Sequence, residues 1–177
     1  MPLGYVGKLL RVNLSARRIA EEPLPPEEIL RQYVGGTGLG VWLLCRELPD
    51  GAGAKDPDNP LIFMTGPLTG TMVPTAADFT AVGLNYDVGY TVLTSHSHGS
   101  WGPQLKRAGY DGLILEGHSA EPLYLWVHDG EGELRDASPF WGLDTHETEE
   151  AIRSDLANAE ASVAAIGPAG ENGVHGA

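Results

Sequence analysis

The stretch from Leu61 to Gly117 constrains this chain most. It opens LIFMTGPLTGT, passes through an apolar-alternating segment and closes SHSHGSWGPQLKRAGYDGLILEG. Short β-rich runs alternate there with loops of glycine, serine and threonine that also carry His96 and His98. Glycine lacks a Cβ and tolerates positive φ, so such loops let a backbone come close to a flat or phosphorylated ligand.

The flanking segments read as the platform beneath that stretch. GKLLRVNL (Gly7 to Leu14), a turn at Ser15-Ala16-Arg17 and RIAEEPL predict an opening β-hairpin. Prolines and acids at Pro25-Pro26-Glu27-Glu28 start a helix over about Pro26 to Tyr33. YVGGTGLG breaks it, and a second helix resumes over Leu39 to Leu48. Strands are expected at Leu61 to Met64, Phe79 to Leu84 and Tyr90 to Thr94. Ser97 and Ser100 can cap a helix that buries Trp101, Leu105 and Ala108 at spacings of four and three. LILEG, PLYLWVHD and GELRDAS read as a strand meander. Asp144 and Glu147 form a capping-box pattern for a helix over Thr145 to Ala157. Ser162 to Ile166 reads as a last strand, and the Gly-rich end IGPAGENGVHGA as a loop without a closing element, as in a module cut from something longer. Many short strands with three or four short helices, and no sustained βαβ spacing, give an α+β fold in one domain over residues 1–177.

Composition removes several classes. Eleven basic against 24 acidic residues give a net charge of −13, which disfavours nucleic acid and anionic membrane as partners. No run approaches the roughly 20 apolar residues of a membrane span, and the N-terminus lacks a secretory pattern, so a cytoplasmic protein is expected. One cysteine, Cys45, rules out a disulfide within the chain and any Cys₄ cluster built from it alone. In VWLLC it reads as a small buried hydrophobe.

The glycine cluster Gly35 to Gly40 superficially resembles a dinucleotide-binding fingerprint, but it follows a helix where a strand is required. It reads as a tight helix-to-helix turn, or as backbone N–H groups facing an anion at the next helix. GPLTGT (Gly66 to Thr71) lacks the Lys-Ser/Thr ending of a phosphate loop; Thr69 and Thr71 can offer hydroxyls. Ser95-His96-Ser97-His98-Gly99 is a loop able to turn both imidazoles toward one metal ion, with Asp78 to complete the site and His175 as a distant candidate. Lys106 and Arg107 read as helix-surface cations.

Taken in order, GKLLRVNL, EEPLP, YVGGTGLG, DPDNPLIFMTGPLTGT, GPQLKRAGYDGLILEG, PLYLWV, RDASPFWGLDTHETEEAIR and ASVAAIGPAGEN resemble the N-terminal domain of the tungsten-containing aldehyde ferredoxin oxidoreductase family across essentially the whole chain. The resemblance implies two β-sheets with short flanking helices, forming a base for a tungsten bis-pterin whose phosphates are bridged by magnesium. It also implies oxidation of an aldehyde to a carboxylic acid, with electrons leaving through a [4Fe-4S] cluster to ferredoxin; the cofactor does the chemistry and the protein positions it. The family's two further helical domains supply the cluster cysteines and substrate channel. By that comparison the chain is C-terminally incomplete, inactive alone, and dependent on the missing domains or a separate subunit.

The resemblance places the cofactor-facing surface at Asp78, Ser95, His96, Ser97, His98 and Gly99. Two departures fall there. The family's arginine corresponds to Asp78, which reverses a Coulomb interaction worth about 1 to 4 kcal/mol at close range. Its Asn-Ser-Gly-Gly loop reads His96-Ser97-His98-Gly99, exchanging an oxygen ligand for imidazole, which hard cations favour less. These changes leave two alternatives open: a non-catalytic interaction module able to form homo-oligomers, or a small metal-binding protein using His96 and His98.

Overall fold

A computed structural model of the chain describes residues 3–88 and 91–174. Its central layer is a six-stranded mixed sheet in the order β2-β1-β6-β3-β4-β5. The strands are β1 (Lys8–Asn13), β2 (Arg18–Pro23), β3 (Leu61–Thr65), β4 (Phe79–Leu84), β5 (Val92–Ser97) and β6 (Gly112–Glu116). Neighbours pair antiparallel except β1 and β6, which are parallel. A separate hairpin of β7 (Leu123–His128) and β8 (Glu131–Asp136) forms a second sheet. Helices are α1 (Glu27–Tyr33), α2 (Gly36–Glu47), α3 (Trp101–Arg107), α4 (Thr145–Asp155) and α5 (Gly167–Glu171). The α+β expectation with two sheets therefore holds.

Alternation along the strands divides the interior between the two faces of the large sheet. Leu9, Ile62, Met64, Val82 and Ile114 face α1 and α2, where they meet Leu30, Leu39, Leu43 and Leu44. Leu10, Val12 and Leu113 face the other way, toward Leu105 and Tyr110 and the half-buried Trp101, Leu125, Val127 and Leu134 of α3 and the hairpin. Burying each fully enclosed Leu, Ile or Val contributes about 1.5–3 kcal/mol.

Several local expectations need correction. β6 does not open a meander with β7; it inserts between β1 and β3. Its apolar run is buried on both faces, the pattern of a central strand. α2 begins at Gly36, earlier than Leu39. The glycine cluster does make a close helix-to-helix turn, since a Cβ on Gly35 would lie 2.8 Å from the Thr65 carbonyl oxygen. Cys45 is exposed: it follows the fully buried Leu44 by one residue, a 100° step around the helix that carries it away from the sheet.

β5 runs from Val92 to Ser97, so Ser95, His96 and Ser97 belong to a strand and not to a loop. Tyr90, the expected start of that strand, lies outside the described residues. Ser162 to Ile166 forms no strand; a strand persists only where its backbone groups find a ladder partner, and none pairs with it among the described residues. The following segment is not loop alone: Pro168 sits in the first turn of α5, and Glu171 at its end accepts from the Gly142 amide at 2.9 Å. The capping box at Asp144 and Glu147 is formed in both directions. Ser100 precedes α3 but makes no cap bond; its hydroxyl meets that of Ser162 at 2.6 Å.

Candidate functional site

The open edge of the large sheet carries the expected site residues. β4 and β5 pair in register with Thr80 opposite His96 and Phe79 opposite Ser97. Side chains two apart share a face of a strand, so Thr80 and Asp78 on one side meet His96 and His98 on the other. His96 Nδ1 lies 3.2 Å from the Thr80 hydroxyl, and its Nε2 lies 3.4 Å from the hydroxyl of Thr37 in the first turn of α2. His98 Nδ1 contacts Asp78 Oδ1. Both members of that pair are well exposed, His98 at 77% and Asp78 at 52%.

The structure thus brings Asp78, His96 and His98 onto one open face beside the start of α2. Ser95 and Ser97 alternate to the opposite face, and Gly99 follows at the strand's end with open space around it. His175 lies outside the described residues. Thr69 and Thr71 do not point their hydroxyls outward. Thr69 donates to the Asp78 carbonyl at 2.9 Å and accepts from the Gly66 amide at 3.0 Å, while Thr71 donates to the Leu68 carbonyl at 2.7 Å. The GPLTGT loop therefore spends these groups on its own shape, and Thr69 fixes the backbone at Asp78.

Three contributors were not evident from the sequence. Thr37 and Thr80 orient His96, and only the packing of α2 on β4 brings them together. Lys106 is not a surface cation: its side chain is 10% exposed, its ammonium donates to the carbonyls of Gly4 and Gly66 (2.9 Å to the latter), and it lies 3.4 Å from the buried Asp111 carboxylate. Asp111 in turn accepts from the amides of Val6 at 3.0 Å and Gly7 at 2.6 Å. Lys106 and Asp111 together thereby clamp the N-terminal segment and the GPLTGT loop to the sheet. The helical pattern made Lys106 look solvated because its partners stand 40 and 102 residues away.

On the opposite face, a cavity of about 720 Å³ opens between the large sheet and the hairpin, lined by Phe63, Trp101, Tyr124 and Trp126 among others. No helix among the described residues is long and apolar enough to cross a membrane.

The molecule is a mixed sheet with an exposed polar edge, flanked by helices and a separate hairpin, an α+β domain. A solved structure described as the active site complex BamBC of benzoyl coenzyme A reductase, in complex with 1,5-dienoyl-CoA, superimposes with a TM-score of 0.92 at 34% identity, over 97% of this chain and 26% of that one. The chain belongs to the aldehyde ferredoxin oxidoreductase N-terminal domain family, whose match spans residues 9–177. Among curated relatives, a tungsten-containing aldehyde ferredoxin oxidoreductase of Pyrococcus abyssi is 42% identical over 97% of this chain and 28% of its own length. An aliphatic sulfonate oxidoreductase, WOR-like subunit, of Pyrococcus furiosus is 39% identical over 78% of this chain and 22% of its own. The chain spans about a quarter of the length of the curated relatives it matches.

Proposed function

We propose that residues 1–177 are the cofactor-binding domain of a tungsten-pterin oxidoreductase, with the cofactor resting against the β4–β5 edge. The observation that carries this reading is the shared face of Asp78, His96 and His98 beside the first turn of α2. The relatives named above act on an aldehyde, an aliphatic sulfonate and a benzoyl thioester by their names. Those substrates differ greatly, so what this domain shares with all of them is better matched to holding a common redox group than to choosing a substrate.

The donor set fits a phosphate-bearing group. Imidazoles donate to phosphate oxygens, or ligate a cation bridging them, and the Thr37 hydroxyl and the N-terminal end of the 12-residue α2 add polarity of the right sign. Asp78 alone would repel phosphate. Its carboxylate is instead engaged by His98, so the pair presents the imidazole and its remaining ring nitrogen outward. His96 and His98 would hold the phosphates or their magnesium, and Asp78 and Thr80 would set the rings' orientation. Ser95, Ser97 and Gly99 would shape the surrounding edge. The bound group would supply two-electron redox chemistry at tungsten; the chain's own part is to position it.

The same reading makes the whole protein an aldehyde-type oxidoreductase in the cytoplasm. Its remaining domains, or a separate subunit, would carry the [4Fe-4S] cluster and pass electrons to ferredoxin. The test is metal and pterin analysis of protein made in a tungstopterin-competent host. About one tungsten and two pterins per chain, reduced together in a His96→Ala/His98→Ala variant, is the expected result. Protein free of tungsten, molybdenum and pterin under those conditions would remove the cofactor claim.

A further inference from the structure

The second sheet carries a cluster that the β4–β5 edge does not use. Asp129 and Gly130, both at positive φ (45° and 83°), join β7 to β8 as a two-residue turn. Such turns match strand twist and pin the register, here with His128 opposite Glu131 and Trp126 opposite Glu133. The hairpin is anchored at its tip: the Gly130 amide donates to the Ala108 carbonyl at 2.8 Å, and Tyr110 contacts the Gly130 carbonyl. A Cβ on Gly132 would lie 3.1 Å from Leu10, which places this hairpin over the β1 end of the large sheet, across from β5.

One ligand atom from each of His128, Glu131 and Glu133 lies within 4.8 Å of the others. His128 Nε2 stands 3.6 Å from Glu133 Oε1. That is too long for a hydrogen bond and close to the separation of about 3.4 Å between two ligands sharing a tetrahedral ion with bonds of about 2.1 Å. The surroundings hold these groups in place. Trp126 stacks on the His128 ring with centroids 5.2 Å apart. Asp129 Oδ2 stands 3.7 Å from His128 Nδ1, on the side away from the cluster, beyond hydrogen-bond distance but near enough to add negative charge beside the ring. Arg135 holds Oε2 of Glu133 at 2.6 and 2.9 Å, leaving the other oxygen directed at His128.

We infer that His128, Glu131 and Glu133 form a three-ligand site for a divalent transition ion of the zinc class, with a further position open to water. One imidazole and two carboxylates on a short, fixed hairpin suit zinc, cobalt or nickel in place of magnesium, which requires six oxygens in near-octahedral order. The site is separate from the proposed pterin face and does not depend on it.

The experiment is titration of the metal-stripped 177-residue protein with Co²⁺ alone, followed by visible absorption and calorimetry, then by displacement with Zn²⁺. One equivalent of Co²⁺ is expected, displaced by Zn²⁺. His128→Asn and Glu131→Gln should each weaken binding by about tenfold or more, and Asp129→Asn by less. Glu131 is exposed, so its variant keeps the fold, which circular dichroism verifies. His118→Ala, an exposed histidine outside both proposed sites, should leave the affinity unchanged. Equal Co²⁺ affinity in wild type and His128→Asn, or a loss confined to His118→Ala, would overturn the assignment.

Discussion

Across the open end of the β4–β5 ladder, Nδ1 of His98 meets Oδ1 of Asp78. An acid just before β4 and an imidazole just after the edge strand β5 answer one another, and the pair presents a single donor face to whatever lies against that edge. Exposure keeps its contribution to stability small: solvent-facing ion pairs are worth about 0–1 kcal/mol. Replacing Asp78 with Asn should therefore shift unfolding by no more than about 0.5 kcal/mol. Retained pterin should nevertheless fall about tenfold, the scale of one lost charge-assisted hydrogen bond. Parallel urea unfolding and pterin analysis of the same preparation separates the two effects; a large loss of stability with full pterin content would reverse the roles assigned here.

The Lys106–Asp111 pair should behave in the opposite way. Both side chains are enclosed, and Asp111 also holds the Val6 and Gly7 amides. Lys106→Met leaves a buried carboxylate without its cation and should cost about 3–5 kcal/mol in urea unfolding. Arg17→Ala, which removes an exposed pair with Glu121, should cost less than about 1 kcal/mol. Comparable losses in the two variants would contradict the assigned burial.

Gly112 and Gly99 offer a second contrast. A Cβ on Gly112 would lie 2.8 Å from the Phe63 carbonyl oxygen, inside the β3–β6 pairing, so Gly112→Ala should cost about 3 kcal/mol or more. Gly99 has φ of +103° but nothing within 4 Å of a Cβ, so Gly99→Ala should cost only the backbone strain, about 1–2 kcal/mol. Thermal unfolding of both variants checks the order.

Tyr110 gives a pH prediction. Burial, then its hydrogen bond to Glu21, pushes the phenol up to about 12 from an ordinary value near 10. The fold therefore favours the neutral phenol. Its stabilising contribution is complete below the unfolded value near 10 and is lost as pH rises through about 12. Ultraviolet difference titration of wild type against Tyr110→Phe should assign to Tyr110 an ionisation near 12; one near 10 would show that the ring is solvated.

Part of the arrangement at the β4–β5 edge shows in the local sequence. Asp78 and the SHSHG segment stood out because charged and imidazole groups interrupt an otherwise apolar, glycine-punctuated stretch. Their partners did not. Thr37 is 59 residues from His96, and Thr80 is 16; nothing in either local pattern points to the other. The His128, Glu131 and Glu133 cluster was equally hidden, since its spacing becomes meaningful only once the turn at Asp129-Gly130 sets the register.

What adjacent residues encode was determined by the sequence itself: the capping box at Asp144, the start of β3, the extent of β4, the α+β class and the ordered motifs of the family. Those features depend on periodicity and on bonds closed within a few positions. What depends on distant partners was decided by the tertiary structure. β6 left the hairpin strands to fill the gap between β1 and β3 because its apolar run needed cover on both faces. Cys45 turned outward and Lys106 inward because the sheet and the N-terminal segment lay where no local pattern records them. Pairing and burial are competitions among segments far apart in the chain, and only the packed whole settles which of them win.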